Sequence, residues 1–289
     1  MKVLILGANG MAGHTITHYF KEQGHEVTGF TTTKVNYCKN IVGDALDRDD
    51  FKQALRSDDY DAVINCIGLL NQNADNNPDM AIYLNSYLPH YVVKQLENTK
   101  TKFIQMSTDC VFSGKTGVYK ESSPRDGETI YDRSKALGEI EDTKNLTFRN
   151  SIIGPDMNPK GIGLFNWFMK QEGTIKGYKS AIWTGVTTLT LAKAMEQAIK
   201  ENLTGLYNLV NNTSVSKYDL LKLFNHTFRE DHMAAIVPDD SVKVNKSLVN
   251  TRTDFTFEVP SYEQMIVEMK DWVQQHQDLY PHYFGGKTH

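Results

Sequence analysis

The sequence predicts an α/β fold: a doubly wound parallel sheet with a smaller C-terminal region interleaved with it. Three observations support this fold class. Short apolar runs alternate with longer amphipathic segments from Val3 to Arg149, as strands and helices alternate in a parallel sheet. A glycine-rich turn, Gly7 to Gly13, follows the first apolar run. The alternation then loosens, because glycine and proline interrupt residues 154–163. Ligands of such sheets bind beyond the carboxyl ends of the strands, where we expect the site.

The predicted elements of the first half follow hydrophobic periodicity. The strands are expected at Val3–Leu6, His25–Phe30, Ile41–Val42, Ala62–Ile67, Lys102–Met106 and Leu146–Arg149. The helices are expected at Met11–Glu22, Met80–Glu97 with a kink at Pro89, and Tyr131–Glu141. Beyond Arg149 we expect a helix at Leu164–Met169, a strand at Leu206–Val210 that returns to the sheet, and helices at Tyr218–Phe228 and Tyr262–Gln274.

Composition excludes several classes of protein. The chain has 289 residues and a formal net charge of −4, without the basic excess that nucleic-acid or membrane-surface binding requires. No run approaches the roughly 20 apolar residues of a membrane span, and the apolar start at Met1 is too short for a signal peptide. The cysteines Cys38, Cys66 and Cys110 are odd in number and lack metal-ligand spacing. We therefore expect reduced thiols, no metal and a cytoplasmic location.

The segment Gly7 to Gly13 is a GxxGxxG loop between the first strand and the first helix. Its glycines allow a tight turn and close approach to a pyrophosphate, which the helix N-terminus attracts. We expect the cofactor to contact Gly7, Asn9, Gly10, Met11 and Gly13. The alternative is a purely structural turn.

Cofactor choice depends on the end of the second strand, which carries Thr31 and Lys34 instead of a carboxylate. A hydroxyl and a cation suit a 2′-phosphate, so NADPH is predicted, with NADH as the alternative and Lys34 as a solvated loop charge. Asp44 is expected at the adenine, together with Ala45. Further cofactor contacts are expected beyond the fourth and fifth strands, at Cys66, Ile67, Gly68 and Ser107. Residues 1–153 would then form the dinucleotide-binding domain, rejoined by 184–212, with 154–183 and 213–289 binding substrate.

Tyr131 and Lys135 are spaced i, i+4, so on a helix they share a face. A nearby ammonium is expected to lower the pKa of the phenol and let it exchange a proton with a carbonyl. Spacing alone proves nothing, because Tyr218…Lys222 and Tyr283…Lys287 share it. Context favours Tyr131.

Two more polar residues complete this candidate site. Thr108 follows the fifth strand and is expected to hold a substrate carbonyl together with Tyr131. Asn85 lies in a predicted helix and is expected to anchor a water that connects Lys135 to solvent. Each has a simple alternative, a cap for Thr108 and a helix-face polar group for Asn85; together they meet the geometric roles of an acid–base site.

With these motifs the chain resembles the extended short-chain dehydrogenase/reductases, which have the Rossmann fold. Residues 107–114, Tyr119–Glu121, Pro124 and Tyr131…Gly138-Glu139 are similar to the dTDP-4-dehydrorhamnose reductase branch. The resemblance implies reduction of the 4-keto group of a nucleoside-diphosphate 6-deoxyhexulose for surface polysaccharide synthesis. Thr108 would polarise the carbonyl, Tyr131 would donate the proton, and Lys135 would bind the nicotinamide ribose.

The same resemblance implies where the sugar nucleotide lies. Expected contacts are Asp109, Cys110, Asn150, Trp167 and Trp183. Arg252, a cation late in the chain, is expected to meet the diphosphate on account of its charge. The branch usually carries tyrosine where this chain has Cys110, and residues 162–168 are similar to relatives that act on UDP-linked 2-acetamido-4-hexuloses, so the sugar stays open. For both tryptophans the alternative is core packing. If the chain forms an oligomer, we expect a homodimer. An epimerase or dehydratase, and a non-catalytic dinucleotide-binding subunit, are the other functions that remain open.

Overall fold

The structure, a computed structural model, describes residues 1–229 and 233–284. A seven-stranded parallel sheet lies at its centre. The strands of the described residues are β1 (Lys2–Leu6), β2 (Glu26–Thr31), β3 (Lys39–Val42), β4 (Ala62–Asn65), β5 (Lys102–Ser107), β6 (Leu146–Arg149), β7 (Ser151–Ile153), β8 (Thr174–Tyr178), β9 (Ala181–Trp183), β10 (Gly185–Thr187), β11 (Gly205–Asn208), β12 (Val215–Ser216), β13 (Ala235–Asp239) and β14 (Val244–Asn245).

The central sheet has the order β11-β6-β5-β4-β1-β2-β3. The chain therefore runs outward in one direction from β1 to β3 and in the other from β4 to β11. The reversal opens a crevice at the carboxyl ends of β1 and β4, the usual ligand position in such sheets. The predicted doubly wound α/β fold is confirmed. Three small sheets, β10-β7, β12-β9-β14 and β13-β8, lie in the second half of the chain.

Helices cover both faces of the sheet. They are α1 (Met11–Glu22), α2 (Arg48–Leu55), α3 (Asn71–Asn76), α4 (Pro78–Ala81), α5 (Leu88–Leu96), α6 (Ile130–Leu137), α7 (Leu164–Met169), α8 (Thr188–Lys200), α9 (Lys217–Phe228) and α10 (Tyr262–Gln275). Strand β1 shows why both faces need cover. Val3 and Ile5 pack in one apolar cluster and Leu4 and Leu6 in another, as the two-residue period of a strand requires.

The predicted helix Met80–Glu97 is in fact three consecutive segments. Helix α4 leads into a π-helical turn, Ile82–Tyr87, which continues into α5. Pro89 has no N–H to donate to the carbonyl of Asn85. That carbonyl instead lies against Gly138, where an added Cβ would be only 1.8 Å from its oxygen. The same glycine caps α6, so the predicted helix Tyr131–Glu141 ends at Leu137 instead.

Local patterns missed other elements. Helices α2, α3 and α8 and the small sheets were not predicted. Strand β4 ends at Asn65, two residues before the predicted end, because the chain turns there under the glycine-rich loop. Strand β2 begins and ends one residue later than predicted. The described chain contains no helix long and apolar enough to cross a membrane.

Candidate active site

The glycine-rich loop between β1 and α1 is packed too tightly for other residues at two of its positions. Gly7 has a φ of +75°, and a Cβ there would lie 3.1 Å from Ile67. A Cβ on Gly13 would lie 2.0 Å from the carbonyl oxygen of Gly7. Gly10 is open, with its nearest neighbour 3.5 Å from a built Cβ. Within the described residues no side chain caps α1, so its first N–H groups point out of the loop.

The neighbouring strand ends supply the other predicted cofactor residues. Thr31 is buried, donating its hydroxyl to the carbonyl of Thr33 (2.7 Å) and accepting from Asn40 (2.8 Å). The hydroxyl is therefore already used within the protein. Lys34 is exposed, and the described part of the chain offers it no ion pair. Asp44 is also exposed; its carboxylate accepts from the N–H of Leu46 at 3.0 Å.

The remaining predicted contacts lie around the same crevice. The Asn9 amide lies 3.4 Å from the Thr33 hydroxyl, and the Ala45 carbonyl accepts from Tyr83 at 3.3 Å. Met11 lies against Gly163, the residue before α7. Cys66 and Ile67 follow β4 beneath Gly7. Burial raises the pKa of the Cys66 thiol to about 12, as suits a packed thiol.

Tyr131 lies near the start of α6 and is 8% exposed. Thr129 and Asp132 form a capping box, and the N–H of Tyr131 donates to Asp75 (3.1 Å). Its apolar neighbours are Leu69, Ala74, Ala81, Cys110 and Ile130. Burial raises the pKa of the phenol well above its usual value, with the Cys110 thiol adding to the rise and a hydrogen bond with Thr108 opposing it. The expected lowering of this pKa is therefore wrong for this structure.

The position of the Lys135 ammonium explains why it does not lower the pKa of the Tyr131 phenol. Lys135 is 6% exposed, and its Nζ donates to the carbonyl of Met106 (2.6 Å). The ammonium thus points to the end of β5, and burial of the phenol outweighs any help from it. Burial also lowers the pKa of Lys135 to about 8, with Glu139 and then Cys66 opposing the change.

Thr108 begins the tight turn after β5. Its hydroxyl donates to Asp109 (3.1 Å) and accepts from the N–H of Cys110 (3.1 Å). Asp109 also accepts from Ser151 (3.0 Å), and burial raises the pKa of its carboxyl. Thr108 is therefore a cap, and its hydroxyl lies close enough to the phenol of Tyr131 to act on the pKa of that phenol. The hydroxyl therefore lies beside the phenol, whereas the ammonium of Lys135 lies at the carbonyl of Met106, two residues earlier on β5.

Asn85 differs from the expectation. It is 1% exposed, and its amide clamps Leu69: Oδ1 accepts from the N–H (2.9 Å) and Nδ2 donates to the carbonyl (2.8 Å). Nδ2 also donates to the Ser134 hydroxyl (3.1 Å). Both amide hydrogens are thus engaged by protein groups. The side chain fastens the loop after β4 to α6, and it cannot donate to a water as well.

The predicted substrate residues Cys110, Asn150, Trp183 and Trp167 lie in different surroundings. Cys110 lies beside Tyr131, and Asn150, at the end of β6, donates to the carbonyl of Ser151 (3.1 Å). Trp183 is buried and packs on Tyr262, with ring centroids 5.6 Å apart. Trp167 is 39% exposed on α7. Trp183 thus takes the core-packing alternative, whereas Trp167 is exposed on α7.

Arg252 lies at the wrong end of the sheet for a diphosphate. Its Nη1 donates to the carbonyls of Thr204 (2.7 Å) and Leu206 (2.9 Å), and its Nε donates to Asp254 (2.9 Å). These groups surround Gly205, where β11 begins. The site lies at the carboxyl ends of the strands, so the prediction for Arg252 is wrong.

Two features of the site were not predicted from the sequence. Ser134, between Tyr131 and Lys135, receives the Asn85 amide. Glu139 and Arg149 form a buried ion pair, with Nη2 to Oε2 2.7 Å and Nε to Oε1 2.8 Å. The available signal was a charged residue, Arg149, at the end of a strand predicted to be buried.

Similarity to known proteins agrees with this architecture. A family model described as the RmlD substrate binding domain matches residues 1–274. The probable low-salt glycan biosynthesis reductase Agl14 of Haloferax volcanii is 32% identical over 143 residues, 48% of this chain and 48% of that protein. The spore coat polysaccharide biosynthesis protein SpsK of Bacillus subtilis is 29% identical over 53% of this chain and 51% of its own length. The chain spans about half the length of these curated relatives.

Other similarities bear on the alternatives. Methionine adenosyltransferase 2 subunit beta of Xenopus laevis is 25% identical over 48% of this chain and 41% of its own length. Among solved structures, dTDP-4-dehydrorhamnose reductase of Bacillus anthracis in complex with NADP has a TM-score of 0.79 at 19% identity, covering 94% of this chain and 99% of that one. UDP-glucose 4-epimerase of Thermotoga maritima also gives 0.79, at 16% identity, covering 96% and 100%. Because the family model covers nearly its whole length, the chain belongs to the RmlD substrate-binding-domain family.

Proposed function

We propose that the chain reduces the 4-keto group of a nucleoside-diphosphate 6-deoxyhexulose with NADPH, for surface polysaccharide synthesis. The observation that carries the proposal is that the Thr108 hydroxyl, just after β5, acts on the phenol of Tyr131, while the ammonium of Lys135 bonds the Met106 carbonyl of the same strand. The relatives named as a glycan biosynthesis reductase and a polysaccharide biosynthesis protein support the substrate class. The sugar is dTDP-4-dehydrorhamnose or a UDP-linked 2-acetamido-4-keto sugar.

The residues around the crevice suit a dinucleotide. Side chains at Gly7 or Gly13 would collide with the protein itself, so these glycines keep the turn tight, and the uncapped N–H groups of α1 suit a pyrophosphate. Asp44 and Lys34 lie at neighbouring strand ends for the adenosine half. Bound there, the cofactor supplies the hydride. NADPH is preferred to NADH because Lys34 is an exposed cation where an NAD site usually has a carboxylate.

The chain's own residues would handle the proton. The phenol of Tyr131, whose pKa burial raises, is protonated at neutral pH, which is the state a proton donor needs. Thr108 would turn its O–H from Asp109 to the substrate oxygen and share that oxygen with Tyr131. Lys135 would hold the nicotinamide ribose with the ammonium that now donates to Met106.

The test is Tyr131→Phe, assayed with a panel of dTDP- and UDP-linked 4-keto sugars by NADPH absorbance. General acid catalysis contributes roughly 100-fold to 10,000-fold, so we expect at least a 100-fold loss of turnover with NADPH affinity unchanged. The matched control is Tyr218→Phe. Tyr218 lies on α9, and the Nζ of Lys222 is 5.3 Å from the centroid of its ring. Full turnover by Tyr131→Phe would contradict the mechanism.

The same assay separates the other functions. An epimerase would convert its substrate without consuming NADPH in proportion to product. A non-catalytic subunit would bind NADPH without turnover across the whole panel. This chain keeps Thr108, Tyr131 and Lys135, which a purely regulatory role does not require.

A further inference from the structure

The carboxylate of Glu139, close to the candidate site, accepts several hydrogen bonds. The Glu139 side chain is almost fully buried just after α6. It accepts hydrogen bonds from Ser107 (2.6 Å), from Arg149 through Nε (2.8 Å) and Nη2 (2.7 Å), and from Arg125. Arg149 is itself fully buried, over the ring of Phe112 at 5.0 Å. Neither oxygen of the carboxylate is left without a donor.

These partners come from the elements that carry the candidate site. Ser107 ends β5 and directly precedes Thr108, and Arg149 ends β6. Glu139 follows the helix that carries Tyr131 and Lys135. The single carboxylate thus joins the ends of two neighbouring strands to the helix above them. Any shift of α6 along the sheet would break the short bond to Ser107.

The carboxylate also acts on the buried ammonium. Lys135 Nζ touches the carbonyl of Met106, and the titratable groups that act on it are Glu139, just after its own helix, and Cys66, after β4. Glu139 is the larger of the two influences and favours the charged form. A buried ion pair such as Glu139–Arg149 gives little net stability compared with apolar residues of similar size. Stability alone therefore does not account for it.

We propose that Glu139 is a positioning residue, which fixes Thr108 and Lys135 relative to each other through Ser107, Arg149 and α6. The inference rests on the proposed function. It predicts that loss of the carboxylate harms turnover and cofactor binding even in a protein that folds normally. Glu139 touches neither substrate nor cofactor in this scheme.

The test uses Glu139→Gln and the double variant Glu139→Leu/Arg149→Met, which removes both charges and so leaves no unpaired buried arginine. The control is Glu196→Gln, another buried carboxylate, which accepts from Tyr19 (2.8 Å) and His25 (2.9 Å) where α8 packs against α1. We expect kcat to fall by about 100-fold in both Glu139 variants, as misplacement of catalytic groups by about an ångström does. The control should keep wild-type kcat.

A second readout follows the pH dependence of NADPH binding, which needs no sugar. The ammonium of Lys135 loses its main favourable charge in both Glu139 variants, so the pH at which NADPH binding weakens should move below that of the wild type. If the carboxylate were merely structural, the double variant would keep the wild-type kcat, and its NADPH binding would weaken at the same pH as in the wild type. Either of these two results overturns the proposal. If the wild type binds NADPH but reduces no sugar, the proposed function fails, while the shift of the binding limb still tests Glu139.

Discussion

The amide clamp of Asn85 gives the prediction with the best-defined magnitude. Asn85→Ala removes the partners of the Leu69 N–H, the Leu69 carbonyl and the Ser134 hydroxyl, at 2.9, 2.8 and 3.1 Å. A buried polar group that loses its partner costs about 1–3 kcal/mol. Leu69 is only half-buried, so water replaces part of the loss, and we expect unfolding free energy to fall by about 3 kcal/mol.

The chain contains a matched control for this change. Asn225 clamps Ala234 in the same way, accepting from its N–H (3.0 Å) and donating to its carbonyl (2.9 Å). It lies on α9, away from the carboxyl end of β5. Asn225→Ala should lower the unfolding free energy by about 2 kcal/mol, because two hydrogen bonds are lost instead of three, and should leave the affinity for NADPH unchanged. Asn85→Ala should lose both stability and NADPH affinity, because the loop after β4 is released from α6.

The measurements are urea unfolding followed by far-UV circular dichroism, and NADPH binding followed by fluorescence at a denaturant concentration of zero. If Asn85 served only to hold a water, its removal would leave unfolding free energy within about 0.5 kcal/mol of the wild type, as surface substitutions do. That result would refute the clamp. Equal loss of NADPH affinity in the Asn225 variant would show that lower stability, and not the loop, is responsible.

Two further predictions concern the lysine and the glycine-rich loop. Burial lowers the pKa of Lys135 from 10.5 to about 8, so the folded protein gains stability as the pH rises from 8 towards 10.5, and Lys135→Met should abolish that gain. At pH 7 the unfolding free energy of this variant should be about 2 kcal/mol higher than that of the wild type: about 3 kcal/mol is gained because no buried charge remains, and about 1 kcal/mol is lost because the Met106 carbonyl loses its donor. The variant should also bind NADPH weakly. A lower unfolding free energy than in the wild type would contradict the burial assigned to Lys135. Gly13→Ala should lose both stability and NADPH binding, because its Cβ would lie 2.0 Å from the Gly7 oxygen. Gly10→Ala, with 3.5 Å of clearance, should keep its melting temperature and lose NADPH affinity, and unchanged affinity would place the phosphates elsewhere.

Elements set by local patterns could be predicted from the sequence with good bounds. Helix α1 and strand β6 begin and end where predicted, since apolar periodicity and flanking glycine or polar residues define them locally. The position of Thr108 after β5 followed equally, because the end of a parallel strand fixes the edge on which the next residue lies. The π-helical turn at Asn85 was not predictable in this way. It depends on the contact between its carbonyl and Gly138, more than fifty residues away.

Long-range pairing explains the other differences. The i, i+4 spacing of Tyr131 and Lys135 placed both on one face of α6, yet the ammonium reaches the Met106 carbonyl, whose position depends on where β5 ends beneath that helix. Arg252 was assigned to a diphosphate on charge alone. Which end of β11 it approaches depends on the chain path after α9, and the carbonyls of Thr204 and Leu206 hold it at the amino end.

Burial moves the two central pKa values in opposite directions, and together they set the protonation state of the candidate site near neutral pH. The phenol of Tyr131 becomes harder to ionise and the ammonium of Lys135 easier to neutralise. Both changes disfavour a charged pair, so near neutral pH the tyrosine holds its proton while Lys135, with a pKa of about 8, is still largely charged. Reduction of a carbonyl needs a proton at the substrate oxygen, which a protonated tyrosine can supply, whereas oxidation needs a phenolate to accept one. A protonated phenol and a charged Lys135 are the states that the proposed reduction would use, and Glu139 favours the charged form of that lysine.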